Sequence, residues 1–258
     1  MPVTAMSVYN RDTFRREDLR GLRFTCGPNP GHGAPDFDLP TTLGGRFRLG
    51  ARRGKTPVLV TFGSLTCPQA IGALPALKEI ERVFRGRIEL VTVYVRELHP
   101  GERRPQPRSL REKMAYAREW ALLDKVPWTV AVDRLDGETH RAYGGLPAPV
   151  FLVDSEGRVI ARWPSPGSCR SLARQVARLL DEEGWGGASI QGEQRCGPAG
   201  GIQRAIALER ALARGGRRAR DEHRRELGRR AMGVARMLRW LGDLVAPVHC
   251  RPGHPRSP

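Results

Sequence analysis

The chain has 258 residues and 40% hydrophobic content, enough for one domain of about 150 residues plus an extension, so no small-scaffold staple is required. Five cysteines, an odd number with no Cys-x-x-Cys pair, argue against a disulfide framework or a zinc ribbon and for a reducing compartment. The net charge is +17, and no stretch approaches the roughly 18 uninterrupted apolar residues of a membrane-spanning helix.

Residues 1–33 are polar, with Gly and Pro clustered around Cys26, and read as an irregular lead-in. Met1 to Arg20 has no apolar centre and carries both charge signs, so neither a signal peptide nor an anchor is expected there, and the cytoplasm is the expected location. Ala34 to Pro40 suits a short edge strand and Gly44 to Leu49 its hairpin partner, with Ala51 to Thr56 as the turn leading inward.

Val58 to Phe62 is an apolar, β-branched run suited to a strand buried on both faces, and Gly63-Ser64 ends it. Pro68 fits a first helical turn, and Ile71, Leu74, Leu77, Ile80 and Phe84 follow at spacings of three and four. Cys67 therefore falls at a helix N-terminus. There the unpaired N–H groups and the helix dipole favour an anion, and the thiol is expected to ionise nearer neutrality than the roughly 8.5 of a free cysteine.

Arg87 to Val95 is the next strand, and a strand-helix-strand unit with so long a helix implies a right-handed parallel crossover. The site of such a sheet lies beyond the C-terminal ends of its strands, so the Cys67 turn and the turn carrying Glu97 and His99 should open on one edge. Ser109 can cap a helix over Leu110 to Leu123, with Glu112 completing a capping box. Val126 to Asp133 is a strand, Thr139 to Tyr143 a short helix, and Ala148 to Trp163 a hairpin turned at Ser155-Glu-Gly157. Ser168 to Glu183 closes the domain as a helix.

Residues 184–201 are Gly-rich and read as a linker to an Arg-rich helical extension, 202–258. Residues 201–258 hold 14 Arg against 5 acidic residues, a net of +9. Such an excess attracts nucleic acid or anionic lipid, but 40 of the 44 basic residues are Arg, which a genome-wide codon bias would also produce. Residues 217–230 are charged enough to stay solvated or partly disordered. Val234 to Val248 forms a basic amphipathic face suited to docking on its own domain or on another subunit, with a membrane surface as the lesser alternative.

Phe62-Gly-Ser-Leu-Thr-Cys-Pro68 resembles the active-site motif of the iodothyronine deiodinase family, Phe-Gly-Ser-x-Thr-(Sec or Cys)-Pro, within the wider thioredoxin-like and peroxiredoxin-like class. Tyr94-Val-Arg-Glu-Leu-His-Pro100 and Pro105-Gln-Pro-Arg-Ser-Leu110 resemble two further motifs of that family, Tyr-x-x-Glu-x-His-Pro and Pro-Gln-His-Arg-Ser-Leu. The resemblance spans about 34–183 and implies an α/β thioredoxin-like three-layer sandwich with a mixed central sheet. It places Cys67 at the nucleophile position and implies proton handling by Glu97 and His99. Ser64 and Thr66 would orient the substrate or thiolate, and Arg108 would hold the thiolate charge. A proline opening the 148–163 hairpin is often cis in thioredoxin-like proteins and packs beside the cysteine; Pro149 is the best match and Pro147 the second.

Three departures matter. Ala70 stands where a two-cysteine exchanger has its resolver, Leu65 replaces a cysteine common in vertebrate deiodinases, and Pro107 replaces the family's histidine. The expectation is a thiol-dependent oxidoreductase without metal or organic cofactor, reducing a peroxide and restored by an external thiol such as thioredoxin or a small thiol. Reductive dehalogenation of iodinated phenols is one alternative. A non-catalytic scaffold whose Arg-rich tail contacts nucleic acid or membrane is the other, and a homodimer is compatible with either.

Overall fold

The computed structural model describes residues 9–15, 24–165, 169–181, 190–191 and 198–227. Eight strands and six α-helices are present among them. A hairpin of β1 (Asp38–Pro40) and β2 (Arg46–Arg48) precedes the central β3 (Val58–Gly63), α1 (Pro68–Val83) and β4 (Glu89–Tyr94). Then come α2 (Leu110–Leu123), β5 (Thr129–Val132), α3 (Glu138–Ala142), β6 (Val150–Val153), β7 (Val159–Trp163) and α4 (Cys169–Asp181). The chain continues through β8 (Ile190–Gln191), α5 (Pro198–Gly215) and α6 (Arg217–Leu227).

Six strands form one mixed sheet in the order β5-β4-β3-β6-β7-β8. β3 pairs in parallel with β4 and antiparallel with β6, so the chain has the thioredoxin-like arrangement with β8 added at the edge. Side-chain parity explains the layers. Leu59, Leu90, Tyr94, Val150, Leu152 and Trp163 face the cluster built with α1 and α4, whereas Val58, Val60, Phe62, Val91, Val93 and Phe151 face Phe37, Phe47 and Tyr143 on the other side. Every residue of β3 is buried, as a strand covered on both faces requires.

Two sequence expectations are corrected beyond residue 183. The segment 184–201 contains β8, paired with β7, and already enters α5 at Pro198. α5 packs along α1, where Ala207 and Ala211 enclose Ile71. Residues 217–227 are not solvated coil but helix, with Ala219, Glu222 and His223 buried. The carboxylate of Glu102 accepts the N–H groups of Arg217 and Arg218 and offsets the positive end of the α6 dipole, which holds Glu102 below the usual carboxylate range. That cap lies 115 residues away from the helix it serves, so local charge counting could not find it. The amphipathic segment 234–248, Cys196 and Cys250 lie outside the described residues.

Candidate active site

The site forms where β3 and β4 end side by side. Gly63 pairs with Tyr94 in the parallel register, and Val95 N–H donates to Gly63 O, which sets the turns after both strands on one edge. A Cβ on Gly63 would overlap the Cβ of Ala70, so glycine is needed for α1 to start this close to the strand. The turn then delivers Cys67 as the N-cap of α1, extended at φ −93° and ψ 111°, with Pro68 as the first helical residue.

The thiol itself is enclosed. Cys67 is 1% exposed and belongs to a buried cluster with Phe14, Leu65, Leu98 and Ala148. Its Sγ donates weakly to Gln69 Oε1 at 3.4 Å and to Pro147 O at 3.7 Å. Burial pushes its pKa up to about 12, although the backbone N–H groups of Ala70 and Gln69 at the helix start pull the other way. The expectation of a thiol acidified by the helix terminus is therefore overturned in this closed arrangement: desolvation of the thiolate outweighs the N–H groups that would stabilise it.

Beside the thiol lies a buried carboxylate. Glu97 is fully buried, and its Oε2 accepts Thr66 N–H at 2.9 Å and Thr66 Oγ1–H at 2.6 Å. Its Oε1 accepts the Tyr94 hydroxyl, which in turn accepts Leu65 N–H at 3.1 Å. Gln106 closes the base by accepting Glu97 N–H at 3.0 Å and donating to Glu97 O at 2.6 Å. Burial raises the Glu97 pKa, partly offset by the Thr66 and Tyr94 hydrogen bonds and by the charge of Lys113. Lys113 is itself buried, with a pKa lowered by desolvation to about 8, and donates to Arg134 O at 2.9 Å.

The remaining residues singled out from sequence fall in different places. Thr66 is committed to Glu97 and to His99 N–H, which it accepts at 3.2 Å, so its hydroxyl joins the two turns. Ser64 is buried with no hydrogen-bond partner for its hydroxyl, and its carbonyl accepts Cys67 N–H at 3.1 Å. His99 is buried, its Nδ1 unpartnered, its ring 4.2 Å from that of Phe14 and 5.1 Å from that of His223. Burial, and the neighbouring His223, hold its pKa well below the usual histidine value, so the ring is neutral. The acceptors of the Cys67 thiol are Gln69 and Pro147, neither Glu97 nor His99.

Arg108 is exposed, and its backbone N–H donates to Glu112 in the cap of α2. The cation whose charge acts on Cys67 is Arg96, lying over the ring of Tyr9. No peptide bond is cis among the described residues, so both Pro147 and Pro149 are trans. Pro149 O accepts Phe62 N–H at 3.2 Å, and it is Pro147 whose carbonyl reaches the sulfur. Sequence reasoning gave no role to Gln106 or Arg96, although both lie within or beside the matched motifs. It also missed Arg214 of α5, which donates to Leu65 O at 3.1 Å and forms a two-pronged pair with Asp124.

Among the described residues no cluster of three or more His, Cys, Asp or Glu residues is set to hold a metal ion, and no helix is long and apolar enough to cross a membrane.

Residues 28–170 match the family model described as iodothyronine deiodinase. Among curated proteins the chain is 26% identical over 118 residues to thyroxine 5-deiodinase of Sparus aurata, covering 42% of this chain and 43% of that protein. It is 25% identical over 174 residues to the same-named protein of Gallus gallus, covering 60% and 66%. The chain spans less than half the length of the first of these relatives. A solved structure described as a putative thiol:disulfide interchange protein DsbE from Chlorobium tepidum superposes with a TM-score of 0.48 at 22% identity, covering 60% of this chain and 99% of that one.

Proposed function

Because this chain belongs to the iodothyronine deiodinase family, we propose that it is a thiol-dependent oxidoreductase with Cys67 as nucleophile and a small peroxide as oxidant. The carrying observation is the assembly of Cys67 at the start of α1 beside the hydrogen-bonded trio Thr66, Glu97 and Tyr94. When solvent reaches the sulfur, the desolvation that holds the proton falls away while the Gln69 and Ala70 N–H groups remain. The thiolate then attacks the terminal oxygen of the peroxide, the O–O bond breaks, and the departing alkoxide or hydroxide takes a proton. Sulfur loses two electrons and becomes a sulfenic acid. Glu97, which holds its proton to a higher pH than an ordinary carboxyl, is the proton store in this reading, with the Thr66 hydroxyl and neutral His99 at its margin.

A small oxidant suits a sulfur that is almost wholly enclosed, because it requires less opening than a two-ring aromatic substrate. The unpartnered Ser64 hydroxyl is the free group expected to bond it. An external thiol then reduces the sulfenic acid in two steps through a mixed disulfide. The reaction needs no metal or organic cofactor, and a reducing compartment such as the cytoplasm would supply the reductant. Reductive dehalogenation is the second reading, favoured by the Tyr94, Glu97 and Thr66 network, since transfer of iodine to sulfur leaves a carbanion that must also be protonated.

Stopped-flow consumption of hydrogen peroxide, an alkyl hydroperoxide and a diiodophenol, run on wild type and Cys67→Ser, separates the readings. Mass mapping after one equivalent of peroxide should show a Cys67 sulfenic acid trapped by dimedone. Iodide release with no peroxide turnover would favour dehalogenation, and a dominant Cys67–Cys26 disulfide would overturn the one-cysteine scheme.

A further inference from the structure

Two pieces of chain outside the matched region close over the edge of the sheet where Cys67 sits. From the N-terminal side, Phe14 is 1% exposed and packs in the same buried cluster as Leu65, Cys67 and Leu98, its ring against His99 and His223. From the C-terminal side, α5 and α6 hold both active turns. Arg214 fixes the carbonyl of Leu65, two residues before the sulfur. The backbone at the α5–α6 junction lies so close to the turn after β4 that a Cβ on Gly101 would collide with Gly215 O, and Arg103 N–H donates to that same oxygen at 3.2 Å. The two covering pieces are joined to each other: Phe14 N–H donates to Glu222 Oε2 at 3.4 Å, and Arg218 donates to Asp12 O at 3.0 Å.

We propose that the strap around Asp12 to Phe14 and the α5–α6 hairpin form a built-in cover that keeps Cys67 latent, and that the protein reacts only when this cover lifts from the turns after β3 and β4. Of the two polar contacts named between strap and hairpin, the one from Phe14 N–H is long at 3.4 Å and the one from Arg218 is exposed to solvent. Beneath the cover are groups poorly served by the closed state: His99 Nδ1, both ring nitrogens of His223 and the Ser64 hydroxyl are buried without partners. Unsatisfied buried polar atoms destabilise the closed arrangement relative to one in which water or a substrate reaches them. These unsatisfied groups oppose the contacts that hold the cover down, and anything that binds the open state better shifts the balance. The inference concerns access to the thiol and not the identity of its oxidant.

The test is alkylation of the full-length chain by iodoacetamide at pH 8, with peptide mapping of each cysteine. Cys26 is exposed and serves as an internal standard. In wild type, Cys67 should react at least 100-fold more slowly than Cys26. Phe14→Ala and Arg218→Ala should each raise the Cys67 rate at least 10-fold, leaving Cys26 unchanged and hydrogen-exchange protection of the β3 and β4 amides intact. Equal rates at Cys67 and Cys26 in wild type would overturn the proposal. So would variants that leave the Cys67 rate unchanged, or an acceleration matched by an equal loss of protection in β3 and β4, which marks global unfolding.

Discussion

Glu97 accepts both polar hydrogens of Thr66, the amide at 2.9 Å and the hydroxyl at 2.6 Å, across 31 positions of sequence. The residue immediately before the nucleophile is thereby tied to the turn after β4, so the position of the sulfur depends on a carboxyl group from that neighbouring turn. Hydrogen bonds to a carboxylate are worth about 1.5–3 kcal/mol, which makes Glu97 a structural member of the site as well as a proton store.

Glu97→Gln should flatten the pH dependence of stability. The folded-state pKa of Glu97 is raised by burial, so the stability it contributes is fully present below its unfolded value near pH 4.3 and is lost as pH rises towards the folded value. Wild type minus variant, measured by urea denaturation from pH 4 to 8, should therefore become less favourable to wild type as pH rises. Parallel curves would show that Glu97 does not change its protonation on folding.

A second linkage appears on the alkaline side. The Cys67 pKa is about 12 in the folded chain against roughly 8.5 unfolded, so its contribution is complete below pH 8.5 and lost as pH climbs towards 12. Cys67→Ala should lose less stability than wild type between pH 8 and 10, by about 2 kcal/mol at pH 10. The same denaturation series at the two pH values is sufficient to measure it.

Arg214→Ala removes the partner of a nearly buried carboxylate, since the Asp124 side chain is 8% exposed. Breaking such a pair costs about 3 kcal/mol, and the variant's urea midpoint should fall accordingly. Cutting the chain after residue 183 should cost more, because it also uncovers Ile71 on α1. Sequence reasoning alone makes the extension separable; its packing on α1 points to a truncated protein that is markedly less stable. A truncation with the wild-type midpoint would restore the separable view.

His99→Ala should slow turnover by roughly 10²–10⁴, as loss of an acid or base does. The neutral ring also stacks on Phe14, so His99→Phe is needed beside it. If phenylalanine restores the rate, the histidine acts by packing; if it is as slow as alanine, its nitrogens are used. Because burial depresses its pKa, His99 of the closed chain should take up no proton between pH 6 and 9.

The elements that place the nucleophile could be read from periodicity, since the run from Val58 and the apolar spacing from Ile71 to Phe84 are strong local signals; β3 and α1 form there. The cap of α2 was equally local: Ser109 Oγ accepts Glu112 N–H, although the Glu112 carboxylate takes the N–H of Arg108 and not that of the cap residue. What escaped was long-range. Cys67 ionisation is not legible locally, because a helix terminus is visible in sequence whereas the burial that opposes it comes from a cluster assembled from distant segments, Phe14 and Leu98 among them. The sequence of α6 reads as solvated or partly disordered chain because its charges are local and its cap, Glu102, is not.

Phe14 and Glu222 meet across 208 residues of sequence. On a ribosome, the strands and helices through α4 are complete about forty residues before Glu222 is added, and at roughly 5–20 residues per second that gap lasts some seconds. The nascent chain thus passes through a stage in which the sulfur has its strand and its helix while the α5–α6 half of the lid is still unmade.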